Sequence, residues 1–297
     1  MKHKILIMEH SYFEIKQIMT GLLSKYPFLG IKYLGKSCAG RDILSLSIGS
    51  TENPVVFLGG DDPTYRLSTL IILLFCEELC KAVQDGEEMC GLNIRKALFG
   101  RGIIFLPLLN PDGAEIALRG EMGCGYMSGK ISRLCNGKFE NWRSNLRGVE
   151  ICRNFSYNFE KREQEQKQNR TAGPATEGFC GYRSESEPET LALTELCRTQ
   201  NVRHLIHLRA PGNTVCYSGD PTPLHSEKMA EVISAVSGLS ITPPIGEGGN
   251  IITDWFAEEF SKPAICIKLG KDHIPKISEA AMWYGRLKEA LTLSALF

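Results

Sequence analysis

The stretch Gly102–Leu108 (GIIFLPL) is apolar almost throughout, and so short a run without polar alternation reads as a strand buried on both faces. Pro54–Leu58 (PVVFL) has the same character, and further strands are expected at Ile43–Ile48, Leu205–Leu208 and Ala264–Leu269. Between them lie helical patterns. Ile15, Ile18, Met19 and Leu22 repeat at helical spacing and predict a first helix over Tyr12–Lys25. Others are expected at Leu67–Gln84, Glu187–Gln200, His225–Ser237, Ile252–Phe260 and Ser278–Leu296. Doubly buried strands alternating with crossover helices imply an α/β protein: a three-layer α/β/α sandwich around a mixed, largely parallel sheet. At 297 residues, one domain spanning 1–297 accommodates that core.

The chain balances 34 Lys and Arg against 34 Asp and Glu, so no global field favours nucleic acid or an anionic membrane, and neither is expected as a partner. The apolar run Ile5–Met8 is too short for a secretory leader, and Leu70–Cys76 is too short to span a membrane and reads as buried helix. Eleven cysteines without a leader argue for free thiols and a cytoplasmic, reducing compartment. Cys76 and Cys80 have a spacing that a metal could use, but with no second pair nearby they read as buried thiols. Phe159–Thr171 is a polar run, expected to be an exposed loop or frayed helix.

One segment carries an unusual density of cations. Trp142–Phe155 places Arg143, Arg147 and Arg153 around Gly148, with Val149 and Ile151 between the last two arginines. A guanidinium fork on such a segment matches a carboxylate or phosphate bidentately; a solvated loop with unrelated arginines is the plainer reading.

The segment resembles the W-x-x-N-x-R-G-V-D-L-N-R-N-F signature of zinc carboxypeptidases of the carboxypeptidase A type, in particular the short bacterial members that trim cell-wall peptides. Other landmarks follow in order: Tyr26-Pro27, Gly35–Ile43 with Ile48-Gly49, the P-x-x-N-P-D-G of Pro107–Gly113, the S-E-P-E-T of Ser186–Thr190, Asp254-Trp255 and Lys262-Pro263. The resemblance covers roughly residues 11–290. It implies a carboxypeptidase-like fold and, in the family, a zinc ion held by two histidines and a carboxylate with a separate glutamate as base.

Those chemical positions differ here. The family's H-x-x-E falls on Asp61 and Thr64, its third ligand on Arg209 and its catalytic glutamate on Lys268. A guanidinium has no lone pair to give, and a lysine cannot serve as a carboxylate base. No cofactor is therefore expected, although the family uses zinc. His207 lies two residues before Arg209, about 6–7 Å along the strand, and reads as a core histidine rather than a displaced ligand.

On the substrate side, the resemblance places Arg153 where the family binds a terminal carboxylate, Cys152 where it has an asparagine, and Arg143 near the oxyanion. The family's mobile tyrosine has no counterpart in Ser240–Gly249. Asp61 is then the cleft's anion among Arg143, Arg153, Arg209 and Lys268, and an Asp61 ion pair with Arg209 or Lys268 is expected to fill the corner. Two functions follow: a degenerate, non-catalytic homologue that binds a carboxylate-bearing peptide or small anion, or an active hydrolase with ligands recruited from Asp61, Asp62, His204 or His207.

Overall fold

The computed structural model describes residues 10–50, 52–168, 173–242 and 251–297. Eight strands form the main sheet: β1 (Gly30–Lys36), β2 (Asp42–Gly49), β3 (Pro54–Leu58), β4 (Gly102–Leu106), β5 (His204–Arg209), β6 (Thr214–Tyr217), β7 (Ser240–Thr242) and β8 (Ala264–Lys268). Their spatial order is β1-β2-β4-β3-β5-β8-β6-β7. The centre, β4-β3-β5-β8, is parallel throughout, and β6-β7 is parallel as well; β1-β2, β2-β4 and β8-β6 are antiparallel.

Helices cover both faces. On one side α1 (Tyr12–Lys25) and α2 (Arg66–Asp85) join the later helices Ser226–Ser237 and Ala280–Leu296. On the other lie the segment Ile151–Phe155 and the helices Pro188–Thr199 and Ile251–Phe260. The alternation along each strand decides which residue meets which layer. Val55 and Phe57 face the first, Val56 and Leu58 the second. By the same rule Leu205, His207 and Arg209 share the second face. Phe57, Phe75 and Phe105 lock sheet to helix, with centroids 5.2–5.9 Å apart. The fold is the expected three-layer sandwich.

Several elements escape the periodicity. Strands β1 and β7 are edges with half-buried or exposed residues, so they lack the apolar run of a central strand. The short helices α3 (Pro111–Arg119) and α4 (Ser128–Cys135) begin in motif and loop sequence. The polar run is a helix, α5 (Phe159–Gln168), rather than a loop, and it is not wholly solvated. Arg162 is buried and donates to the carbonyls of Arg153 and Phe155, so α5 braces the arginine segment. The residues of that run beyond 168, and the positions 243–250 where a mobile tyrosine was sought, lie outside the described residues. The eleven cysteines are all free thiols, and Cys76 and Cys80 are buried. Among the described residues no helix is long and apolar enough to cross a membrane.

Candidate functional site

The site lies beyond the carboxyl ends of the parallel strands β3, β5 and β8, where chains leaving a sheet in opposite directions open a crevice. After β3 the chain turns through Gly59 and Gly60. Gly60 has φ +63°, and a Cβ there would meet Pro107 O at 2.8 Å and Thr69 Oγ1 at 2.8 Å. Only glycine combines that conformation with that approach. Asn110 holds the same loop from the other side: its amide NH donates to Gly60 O at 2.8 Å and its side chain to Asp61 O at 3.3 Å, while Asn110 Oδ1 caps α3 through Gly113 N.

Asp61 is thereby delivered to His207 and Arg209. Its Oδ1 lies 2.9 Å from His207 Nε2, and its Oδ2 lies 3.8 Å from Arg209 Nε. Burial alone pushes the Asp61 carboxyl up, but His207 and Arg209 outweigh it and hold the group well below the usual range. Burial pushes His207 down, with Arg209 and Lys268 adding to this against Asp61. His207 is thus neutral, and since an ionised carboxylate only accepts, Nε2 carries its proton. Asp61 Oδ2, His207 Nδ1 and Arg209 Nε are buried without a hydrogen-bond partner among the described residues.

Asp62 serves the second guanidinium. Arg143 Nε donates to Asp62 Oδ2 at 2.7 Å, Nη2 to the Tyr65 hydroxyl at 2.7 Å and Nη1 to Glu177 at 3.2 Å. Burial pushes the Asp62 carboxyl up and Arg143 pulls it back; the 2.7 Å contact with a permanent cation keeps it an ion pair. Thr64 donates its NH and hydroxyl to the other oxygen of Asp62. Arg143 and Arg209 both lie over the Tyr65 ring, their Cζ atoms 5.4 and 5.5 Å from its centre.

In front of these pairs is a cavity of about 220 Å³, lined by Tyr65, Arg143, Cys152, Arg153, Arg209 and Lys268, with Glu150 among the lining. Cys152 is no nucleophile: burial, with Glu150 adding to it, pushes its thiol up, and its Sγ lies 3.3 Å from Glu150 and 3.6 Å from Arg209. Arg153 Nη2 reaches Glu165 at 3.3 Å, while its Nε is buried with no partner among the described residues. Lys268 makes no salt bridge among the described residues.

The four cations singled out in the sequence do converge, and Asp61 pairs with Arg209 as expected. Asp61 is not the only anion, however. Asp62, Glu150, Glu165 and Glu177 also contact the arginines, so the cluster is a set of paired charges with cations turned toward the cavity. Thr64 belongs to Asp62 rather than to the corner. His207 is a buried histidine, as expected, but its partner is Asp61, a pairing that no sequence spacing signals. Tyr65 was also missed. His204 is remote from the cleft: its Nε2 bonds the Ser294 carbonyl at 2.7 Å, in the last helix.

The motifs that carried the resemblance prove to bind one another. Asp112 accepts from Ser37, Ala39 N and Arg41, tying N-P-D-G to the turn before β2. Asn145 donates to Glu187 and Glu189, and Asn154 Oδ1 accepts from Glu187 N, tying the arginine segment to S-E-P-E-T.

Comparison with known proteins agrees with this frame. The chain is 24% identical over 267 residues to gamma-D-glutamyl-L-diamino acid endopeptidase 1 of Lysinibacillus sphaericus, covering 88% of this chain and 65% of that protein. It is 25% identical over 280 residues to the uncharacterised protein YqgT of Bacillus subtilis strain 168, covering 88% of this chain and 69% of that one. The fold matches bovine thrombin-activatable fibrinolysis inhibitor, solved with a tick carboxypeptidase inhibitor, with a TM-score of 0.72 at 15% identity over 98% of this chain and 97% of that one. Residues 15–245 match the family model described as zinc carboxypeptidase, and the chain belongs to that family.

Proposed function

We infer that this protein is a catalytically degenerate zinc carboxypeptidase homologue that binds a carboxylate-bearing peptide, or another small anion, in its cation-lined cleft. The observation that carries this reading is the convergence of Arg143, Arg153, Arg209 and Lys268 on one cavity, with a buried Arg153 N–H that lacks an acceptor among the described residues. A buried donor without a partner costs about 1–3 kcal/mol, and a ligand carboxylate would relieve it.

Zinc does not fit the residues at the corner. Asp61 gives one oxygen to His207, and its other side faces Arg209 at 3.8 Å. At about 4 Å and an effective dielectric near 20, a divalent ion beside a single guanidinium is repelled by roughly 8 kcal/mol. Lys268 would add to this. The catalytic alternative, with Asp61, Asp62 and His207 as ligands, meets the same repulsion, and Asp62 is already committed to Arg143.

The relative's name puts a γ-D-glutamyl-L-diamino acid peptide first among ligands to try. Titration calorimetry with γ-D-glutamyl-L-lysine, in chelator, is expected to give heat that amidation of the terminal carboxylate or Arg153→Ala weakens at least tenfold, the equivalent of about 1.4 kcal/mol. Equal heat from acid and amide, or from wild type and variant, overturns the binding. Cleavage of the peptide by zinc-dialysed wild type overturns the degeneracy.

A further inference from the structure

Away from the cleft, the turn between β1 and β2 carries Cys38 to the start of α6 (Pro188–Thr199), beside Glu187 and Glu189. Cys38 Sγ and one carboxylate oxygen from each glutamate lie within 4.8 Å of one another. Three of the four glutamate oxygens are engaged. Glu187 Oε1 accepts from Ser186 at 2.9 Å, and Asn145 Nδ2 donates to Glu187 Oε2 at 2.8 Å and to Glu189 Oε2 at 3.1 Å. Glu189 Oε1 has no partner among the described residues, on a side chain with no exposed surface. The Glu189 carboxyl, one of its oxygens left open, thus lies beside a thiol and a second carboxyl group.

We propose that Cys38, Glu187 and Glu189 form a site for a thiophilic divalent ion of the zinc or cobalt kind. A thiolate with two carboxylates suits such an ion and disfavours magnesium or calcium. Metal–sulfur and metal–oxygen lengths of about 2.3 and 2.1 Å set tetrahedral ligand atoms roughly 3.5 Å apart, so closure asks for shifts of about 1 Å. Cys38, half-exposed on a turn, can make them and leaves the fourth position to water. Asn145 turns its NH₂ toward the carboxylates, so it orients them instead of ligating. The charges also balance. A divalent ion, one thiolate and two carboxylates sum to minus one, and Arg147, 3.6 Å from Glu187 and 57% exposed, supplies the compensating charge. Binding releases the thiol proton and the proton of the buried Glu189 carboxyl to solvent.

Cobalt(II) titration of the full-length protein tests this. One cobalt per chain is expected, with a thiolate-to-cobalt absorption in the near ultraviolet that zinc abolishes by competition. Cys38→Ser removes the band; Cys152→Ser, in the cleft, leaves it unchanged. Glu189→Gln weakens the affinity at least tenfold, and melting curves verify that each variant is folded. No band at millimolar cobalt, or a band that survives Cys38→Ser, overturns the site. Because the peptide titrations run in chelator, failure here leaves the cleft reading untouched, and the converse holds.

Discussion

The cleft and the Cys38 cluster bury carboxyl groups equally deeply yet treat their charge in opposite ways. Asp61 is 1% exposed and Glu189 0%, and burial pushes both toward the neutral form. At Asp61 the His207 and Arg209 side chains reverse the effect. At Glu189 burial prevails: Asn145 opposes it weakly, Asp112 and Glu187 reinforce it, and the carboxyl is pushed up to about 8. The charge of the surroundings therefore decides: Asp61 has the permanent cation of Arg209 3.8 Å away beside the His207 donor, whereas Glu189 accepts from a neutral amide. The cleft is a set of ion pairs with guanidinium groups at its corner, whereas the cluster gathers a thiol and two carboxyl groups around a neutral amide.

The largest effect expected from this contrast is a gain of metal. Asp61→His, Thr64→Glu and Arg209→His together remove the guanidinium and supply nitrogen and oxygen donors. In a Cys38→Ser background, elemental analysis after dialysis against zinc is expected to rise from none to about one zinc per chain. Stoichiometric zinc in the Cys38→Ser protein before those changes would break the comparison, because the unaltered cleft would then hold metal.

Amide replacement sharpens the contrast further. At pH 7 in chelator, Asp61→Asn leaves Arg209 buried without its counter-ion and is expected to cost about 3–5 kcal/mol. Glu189→Gln should act in the opposite direction. Its folded value of about 8 exceeds the ordinary value of 4.5, so the folded state binds the extra proton between those values. Stability is accordingly lost as pH rises through that window, and the glutamine variant escapes the loss. It should match the wild type near pH 4.5 and exceed it by roughly 3 kcal/mol at pH 7, at about 1.4 kcal/mol per pH unit. Urea unfolding that shifts both variants the same way at pH 7 would refute the assignment of charge states.

The scaffold of both regions was legible in the sequence because it rests on local pattern. Pro54–Leu58 and Tyr12–Lys25 have the expected bounds, since an all-apolar central strand and a helix capped by Ser11 and Glu14 leave little freedom. The cations of the cleft were legible through the resemblance. Their counter-ions were not: Asp62 and Arg143 are 81 residues apart, Asp61 and His207 146. No periodicity reports a contact that only the crossover topology creates. Tyr65 and Glu177 fell outside the motifs for the same reason, and Cys38 was one of eleven scattered thiols until the fold set it beside Ser186–Thr190. The edge strands β1 and β7 went unseen because half-exposed strands carry a mixed pattern.

The smallest effect separates two histidines of one strand. His207 faces Asp61, whereas His204, three residues earlier, faces the Ser294 carbonyl, and burial pushes it down to about 3 from an ordinary value of 6.5. Between those values the unfolded chain binds a proton that the folded chain refuses. Stability conferred by neutral His204 is thus complete above pH 6.5 and declines as pH falls toward 3. At pH 5 the loss is about 2 kcal/mol, from 1.4 kcal/mol per pH unit. His204→Gln can still donate to the carbonyl but cannot take up the proton, so its urea midpoint should fall less than that of the wild type from pH 7 to 5. His207→Gln should lose stability already at pH 7, because it disturbs the Asp61 pair. Parallel acid limbs for wild type and His204→Gln would show that His204 is not held neutral, and would remove the distinction between a buried group facing a charge and one facing a neutral dipole.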